Sequence, residues 1–321
     1  MTMVKGKDKP HYIMPEITII PDASINNVHT TLCGAIDCFL SNHPKTIMAL
    51  SGGWDSRILA CISSELGYDI PAYTTYNHLE SRMAKKVCKA LNMSRHYFFE
   101  IQYEITEEDY NRIEKVCIDS LGTTAFWAIF EQIRVVERLS DLGIYGNTTH
   151  IMHGGRFNEL LQGVDLYSML SAINFGREIN CPWLPRLCLP YLNTDVISSI
   201  FSLPEDVRRN KHFQFMFLLE VFPELAKIPS TNTYNRLLVN RVDRFLKLFG
   251  RPRLFHQLDV NRLLRVNREF LLRKLRRYEE WDDEIPVGKA ISMMKQNKIV
   301  DEKHIMMTLI CGILLDHGDT V

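Results

Sequence analysis

Short apolar runs alternate with longer amphipathic stretches through the first half of the chain. The apolar and β-branched runs predict four strands, at residues 46–50, 70–76, 96–101 and 150–153. Apolar positions at helical spacing predict the intervening helices, at residues 57–67, 80–91, 106–118 and 124–139. Strands that alternate with helices of this length predict an α/β fold, with a doubly wound parallel sheet covered on both faces.

The pattern changes after Gly163, where prolines punctuate the chain and helical spacing then dominates up to the C-terminus. We therefore predict three regions: an N-terminal extension at 1–24, an α/β domain at 25–163 and a mostly helical region at 164–321. Within the last region, the pattern of residues 260–278 predicts one long helix. Its segment 262–277 carries seven basic side chains.

The amino-acid composition disfavours several classes of protein. Lys plus Arg number 38 and Asp plus Glu number 38, so the net charge is zero, which disfavours a protein that mainly coats nucleic acid. The eight cysteines include no C-x-x-C pair, which disfavours a zinc ribbon or a disulfide framework. No signal peptide or membrane-spanning run is visible. We expect a cytoplasmic protein that does not enter a membrane.

The segment SGGWDS at 51–56 joins the strand at 46–50 to the next helix. Its two glycines let the backbone approach an anion closely, and the helix N-terminus presents N–H groups at its positive end. Ser51 and Ser56 add hydroxyl donors. Asp55 repels a bare phosphate but can hold Mg²⁺ that bridges phosphate oxygens. No Gly-Lys-Ser/Thr follows, so this is not a Walker A loop.

The loop resembles the S-G-G-x-D-S pyrophosphate loop of the ATP pyrophosphatases. Within this adenine nucleotide alpha hydrolase superfamily, the chain resembles the synthetase domain of class II asparagine synthetase over residues 10–230. The resemblance rests on LSGGWDSR at 50–57, HGGRFNELLQG at 153–163 and LPYLNTDVISSIFSLPEDVRRNK at 189–211. It implies an amide-forming ligase that uses ATP and Mg²⁺, adenylates a small carboxylate substrate and passes it to an amine or ammonia.

The resemblance also implies roles for individual residues. The pyrophosphate and its Mg²⁺ are expected at Ser51, Gly52, Gly53, Asp55 and Ser56, with Asp55 as the metal ligand. The adenosine is expected beside Leu50 and Tyr76. The expected catalytic residues are Lys211, Glu159 and His153. Lys211 is expected to stabilise charge, and Glu159 matches the second acid of the later loop. The family's catalytic base is missing, so either His153 or Glu159 replaces it or the acceptor chemistry differs. Lys227 is the alternative to Lys211.

Four positions depart from the family pattern. Gly155 stands where the family has its catalytic glutamate, and Arg156 stands where a small residue is expected. Asn158 stands where the family has the first of two acids, and Asn193 where Asp is common. The stretch before Ser51 is too short for a glutaminase domain, so nitrogen is expected from ammonia, a substrate amine or a separate glutaminase partner.

Two rival functions stay open at this point. One is a tRNA- or nucleobase-modifying adenylating enzyme of the same superfamily, favoured only by the basic residues of 262–277, which also fit a solvated helix face. The other is a non-catalytic nucleotide-binding subunit, favoured by Gly155 and Asn158.

Two large side chains in or beside the 51–56 loop have structural interpretations as well. We expect Trp54 to pack against the next helix rather than stack on a base. Arg57 fits either a phosphate contact or an exposed charge.

Overall fold

The structure is a computed structural model that describes residues 3–4, 11–12, 18–21, 23–75, 78–119, 126–155, 184–209, 213–230, 260–296 and 301–317. These residues fall into two compact units. Unit 1 takes the described residues within 1–99, 147–174 and 186–242, and unit 2 takes those within 100–146, 175–185 and 243–321.

Unit 1 is built on a five-stranded parallel sheet, and a short antiparallel pair, β1 (Met3–Val4) and β2 (His11–Tyr12), lies near the N-terminus. The sheet strands are β3 (Thr46–Ala49), β4 (Ala72–Thr75), β5 (His96–Phe99), β6 (His150–Met152) and β7 (Arg186–Cys188). Their order is β5-β4-β3-β6-β7. The chain thus moves outward from β3 in one direction and then returns to its other side, which confirms the predicted α/β class with a parallel sheet.

The described residues of unit 1 form seven helices: α1 (Ile25–Asn42), α2 (Trp54–Glu65), α3 (His78–Ala90), α6 (Thr194–Phe201), α7 (Glu205–Arg209), α8 (Phe213–Val221) and α9 (Pro223–Ala226). A 3₁₀ turn covers Pro190–Leu192. In α1, the four buried positions Val28, Leu32, Ile36 and Leu40 recur every four residues, so one face of the helix enters the core. That core also contains Met48 of the central strand.

Strand β7 was not predicted, because the pattern of residues after Gly163 indicated only helices. The strand has three residues, between Pro185 and Pro190, and so short a segment cannot display the alternation by which a strand is recognised. It nevertheless pairs in parallel with β6, with Met152 opposite Cys188.

Unit 2 is helical among its described residues: α4 (Glu107–Asp119), α5 (Phe126–Asp141), α10 (Val260–Val266), α11 (Arg268–Arg276), α12 (Val287–Lys295) and α13 (Glu302–Asp316), with a 3₁₀ turn at Glu279–Trp281. The units differ from the regions read from the sequence at 25–163 and 164–321. The apolar faces of α4 and α5 pack with the C-terminal helices in one core, whereas β7 and α6 belong to the sheet unit.

The predicted helix at 260–278 is two helices, interrupted at Asn267. Two of its basic side chains have acidic neighbours: Lys274 Nζ lies 2.6 Å from Glu107 Oε2, and Arg277 pairs with Asp316 and Glu114. These pairs favour the interpretation of the basic segment as a charge-balanced helix surface. None of the helices in the described part of the chain combines the length and apolar character needed to cross a bilayer.

Candidate functional site

The strand order reverses between β3 and β6, the position where open α/β sheets bind ligands at the carboxyl ends of their strands. β3 and β6 pair in parallel, with Met48 opposite Met152, so their carboxyl ends lie side by side. The loop at 51–56 follows β3, and the turn at 153–155 follows β6. The pairing therefore brings together two segments that are about 100 residues apart in the sequence.

Gly154 makes the closest approach between these two segments. A Cβ atom at Gly154 would lie 2.8 Å from the Ser56 backbone nitrogen and 3.0 Å from the carbonyl carbon of Asp55. Real Cβ atoms do not approach backbone so closely, so only glycine fits here without a shift of the chain. The 153–155 turn thus lies directly against the N-terminus of α2.

The two serines hold the shape of the 51–56 loop. The Ser51 N–H donates to Ser56 Oγ over 3.0 Å, and the two hydroxyl oxygens are also 3.0 Å apart. The Gly53 N–H donates to Ser51 Oγ over 3.2 Å. The hydroxyls therefore organise the loop, and their predicted contact with a pyrophosphate stays a prediction.

Asp55 lies in the first turn of α2, which begins at Trp54 after Gly53 at the N-cap. Its Oδ1 accepts a hydrogen bond from Gln214 Nε2 at 3.2 Å, and its backbone carbonyl accepts one from the Tyr191 hydroxyl at 2.7 Å. Burial, reinforced by the charge of Asp55, raises the pKa of Tyr191 well above its ordinary value, so this hydroxyl keeps its proton. A carboxylate has about four acceptor positions, so the bond from Gln214 is compatible with Mg²⁺ binding.

His153 is held by its own turn. Its Nδ1 accepts the Gly155 N–H at 2.8 Å, and its backbone N–H donates to the Cys188 carbonyl on β7 at 2.9 Å. From this hydrogen bond we assign the proton of the neutral ring to Nε2, which makes that nitrogen a donor. A base role for His153 through Nδ1 would require this hydrogen bond to break, and the predicted role stays a prediction.

Gly155 and Asn193, two of the departures from the family pattern, have structural explanations. A Cβ at Gly155 would lie 2.7 Å from His153 Nδ1, so a glutamate there is incompatible with this position of the imidazole. Asn193 is the N-cap of α6, where its Oδ1 accepts the Asp195 N–H at 2.9 Å.

Arg57 is neither a surface charge nor directed to a ligand. It is fully buried, and its guanidinium donates to the backbone carbonyls of Leu225, Ile228 and Pro229 at 2.6–3.1 Å. Burial lowers the pKa of Arg57 to about 10, which leaves it charged at neutral pH. Both interpretations offered for Arg57 were therefore wrong, and its role is to tie α9 and the chain just after it to the start of α2.

Trp54 packs as expected. Its side chain is 5% exposed, and its ring centroid lies 6.0 Å from that of Phe215 on α8. The aromatic ring inside the 51–56 loop therefore anchors the beginning of α2 in the core of unit 1.

Leu50, directly after β3, is hydrogen-bonded to the neighbouring strand. Its N–H donates to the Tyr73 carbonyl at 2.9 Å, and its carbonyl accepts the Thr74 hydroxyl at 2.6 Å. The N–H is thus already used, and recognition of adenosine by the Leu50 backbone would depend on the second lone pair of the carbonyl.

Several predicted site residues lie outside the described residues: Tyr76, Glu159, Lys211 and, among the departures, Arg156 and Asn158. The alternative lysine, Lys227, is exposed and pairs with Glu224 at 2.5 Å. The structure therefore brings together Leu50, the 51–56 loop and His153, and the remaining assignments stay predictions.

Three residues at the site were missed by sequence reasoning: Gly154, Tyr191 and Gln214. Gly154 and Tyr191 lie in segments that the family resemblance covers, but nothing in the sequence indicated their contacts. Gln214 is a single polar residue in the apolar run FQFMF, and its 4% exposure makes it a buried polar residue that needs a partner.

The sequence was compared with known proteins, and neither a family model nor a curated protein matches the chain.

Proposed function

We propose that this protein is an ATP-dependent amide-forming ligase of the asparagine synthetase kind, with an adenine nucleotide alpha hydrolase fold in unit 1. A carboxylate oxygen of the substrate attacks the α-phosphorus of ATP, the bond to the bridging oxygen breaks, and pyrophosphate leaves. The nitrogen of an amine or ammonia then attacks the acyl carbon, AMP leaves, and the nitrogen loses a proton.

The observation that carries the proposal is the close approach of Gly154 to the Asp55–Ser56 peptide at the strand-order reversal. It means that the 51–56 loop and the 153–155 turn line one edge of the sheet. A loop with two glycines at a helix N-terminus, next to a second backbone turn, suits a polyphosphate because N–H groups and the helix dipole favour anions.

The residues of the 51–56 loop would have different roles in binding the pyrophosphate and Mg²⁺. Gly52 and Gly53 let the backbone approach the pyrophosphate, and the Ser51–Ser56 hydroxyl pair keeps the loop in shape. Asp55, oriented by Gln214 and Tyr191, would hold Mg²⁺, whose contribution is to neutralise the negative charge of the leaving group.

His153 would act on the acceptor side as a hydrogen-bond donor from Nε2 to an oxygen of the carboxylate or phosphate. This role replaces the base function because Nδ1 is engaged by Gly155. The proton of the incoming nitrogen would then go to Glu159, which is assigned because it lies near Gly155 in the sequence. Charge stabilisation would come from Lys211, whose assignment rests on the family resemblance alone.

The test follows ATP, ADP, AMP and pyrophosphate by chromatography after the full chain is incubated with Mg²⁺ and a metabolite extract. We compare wild type with Asp55→Asn and with Asp195→Asn, which also removes a first-turn aspartate from a helix of unit 1. We expect AMP and pyrophosphate in equal amounts from wild type and Asp195→Asn. With Asp55→Asn the rate should fall by about 100-fold or more, the size of comparable electrostatic effects.

Release of ADP instead of AMP would overturn the proposal. Binding of Mg-ATP without turnover, even with the extract, would favour the non-catalytic nucleotide-binding subunit. A strongly salt-dependent affinity for tRNA would favour the nucleic-acid-modifying enzyme.

A further inference from the structure

Three side chains that are common metal ligands converge between α1 and the end of α2. His29 Nε2 lies 2.7 Å from Glu65 Oε2 and 3.3 Å from Cys33 Sγ, and the three atoms all lie within 4.8 Å of one another. The set combines an imidazole nitrogen, a thiol sulfur and a carboxylate oxygen, which are the ligand types of zinc sites.

The fold pre-arranges this cluster. His29 and Cys33 are four residues apart on α1, so they lie on the same helix face. The His29 ring is held edge-on by Phe217 and Phe222, with centroid distances of 6.1 Å and 5.9 Å. The imidazole is thereby fixed in position, with Nε2 close to both of its neighbours.

The contacts around Nε2 exceed what one proton can satisfy. In a neutral imidazole this nitrogen either carries one proton or accepts one, yet both a carboxylate and a thiol lie within contact distance of it. A divalent cation among the three atoms would bind all of them simultaneously. Its binding would release the Cys33 thiol proton to solvent, because the ligand is the thiolate.

The distances suit a tetrahedral ion after a small adjustment. Bond lengths of about 2.0–2.3 Å to zinc place tetrahedral nitrogen and sulfur ligands about 3.5 Å apart, and nitrogen and oxygen ligands about 3.4 Å apart. The His29–Cys33 separation of 3.3 Å is already close to this value. Glu65 would have to withdraw by less than 1 Å, and its side chain is 43% exposed and able to rotate.

We infer that His29, Cys33 and Glu65 form a binding site for a divalent ion of the zinc class, with the fourth coordination position open to solvent. The site is separate from the 51–56 loop. Glu65 ends α2 and Asp55 lies in its first turn, so ten residues, about 15 Å along the helix, separate the two. The inference therefore does not depend on the proposed ligase activity.

The test is a titration of the metal-free full chain with Co²⁺, which reports thiolate ligation by a charge-transfer absorption band, followed by displacement with Zn²⁺. We compare wild type with Cys33→Ser, Glu65→Gln and Cys38→Ser, which removes an exposed cysteine of the same helix. No nucleotide is present, so the result is distinct from that of the ligase assay.

We expect a band that saturates at about one Co²⁺ per chain in wild type and in Cys38→Ser, and no band in Cys33→Ser. Glu65→Gln should weaken Co²⁺ binding by at least about tenfold, since even residues that only support a metal ligand contribute about 10–100-fold to affinity. Zn²⁺ should raise the melting temperature of wild type and of Cys38→Ser but not of Cys33→Ser.

Circular dichroism and melting in the presence of a chelator establish that each variant is folded before titration. The absence of a band in wild type would overturn the inference and leave the cluster as an ion pair with a neighbouring thiol. A band that persists in Cys33→Ser would also overturn it, because the thiolate would then come from another cysteine.

Discussion

Two single residues hold the beginning of α2 in place, Gly154 from the neighbouring turn and Arg57 from within the core. Gly154 leaves room for the Asp55–Ser56 peptide, and Arg57 donates to three backbone carbonyls, one within α9 and two just after it. Both roles depend on backbone groups, so the side-chain chemistry of the loop residues alone does not indicate them. Each can be tested by one substitution.

Gly154→Ala should displace the 51–56 loop, because its Cβ would lie 2.8 Å from the Ser56 nitrogen. We expect the affinity for Mg-ATP, measured by calorimetry, to fall by about tenfold or more, and the free energy of unfolding to fall by about 1–3 kcal/mol.

The matched control is Gly34→Ala on α1, where a Cβ would meet no atom within 4 Å. It should leave nucleotide affinity unchanged and raise the free energy of unfolding by up to about 1 kcal/mol, since alanine favours a helix over glycine. If Gly154→Ala bound nucleotide as well as this control does, the close approach would have no functional role.

Arg57→Met should destabilise unit 1 strongly, because the buried carbonyls of Leu225, Ile228 and Pro229 would lose their donor. We expect the free energy of unfolding in urea to fall by about 3 kcal/mol or more. The control variant Arg95→Met removes a half-exposed arginine near Asp69, and its free energy of unfolding should differ from that of wild type by less than about 0.5 kcal/mol. Equal losses in the two variants would contradict the role of Arg57.

At the scale of elements, a chain of hydrogen bonds joins α3 to the end of β3. The Thr74 hydroxyl donates to the Leu50 carbonyl, so it accepts from His96 Nε2, 2.8 Å away. His96 Nδ1 then accepts from the Cys88 thiol at 2.9 Å. Burial raises the pKa of Cys88 to about 12, so the thiol keeps the proton that this arrangement needs. Every proton in the chain is used once only if His96 is neutral.

His96 therefore predicts acid sensitivity. Burial, with a smaller effect from Lys85, lowers the pKa of His96 from about 6.5 to about 4. Between pH 6.5 and pH 4 the unfolded state binds the proton more readily than the folded state. The stabilisation that depends on neutral His96 is therefore fully present above pH 6.5 and is lost as the pH drops toward 4. Allowing for partial exposure, we expect His96 to account for about 1–2 kcal/mol of this loss.

The measurement is the free energy of unfolding in urea from pH 7 to pH 4, for wild type and for His96→Gln. The glutamine retains a donor for Thr74 but does not titrate, so its profile should be flatter by about the same 1–2 kcal/mol. Identical slopes for the two proteins would show that His96 is not the group responsible.

At the scale of the whole molecule, each unit has its own core. The core of unit 1 draws on α1, α2 and the sheet, and that of unit 2 on α4, α5 and the C-terminal helices. In unit 2, Asn267 connects the segment before α4 to the break between α10 and α11. Its Oδ1 accepts the Ile105 N–H at 2.7 Å, and its Nδ2 donates to the carbonyls of Tyr103 and Leu263.

Asn267→Ala should therefore weaken unit 2 selectively. The side chain is 6% exposed, and its removal leaves a buried N–H and two carbonyls without their partner, which should cost about 2–3 kcal/mol. We expect amide hydrogen exchange to accelerate in α4, α10 and α11, and protection in α2 and β3 to stay as in wild type. Arg57→Met should show the opposite distribution, and uniform loss of protection in both variants would contradict two separate cores.

The sequence by itself determined the strand–helix alternation from Thr46 to Met152 and the position of the 51–56 loop between β3 and α2. Both depend on periodicity and on the conformational preferences of residues within about ten positions of one another. Strand β7 and the interruption at Asn267 were not predicted from the sequence, because a three-residue strand and one polar side chain in a helical pattern carry too little local signal.

Only the tertiary structure decided which distant residues meet. Gln214 reaches Asp55 across 159 positions of sequence, Arg57 reaches Pro229 across 172, and Gly154 packs on Ser56. It also assigned α4 and α5 to the core of unit 2. Such contacts follow from strand order and from complementary buried surfaces, which no short stretch of the chain specifies. The residues that orient the loop therefore became visible only in the folded protein.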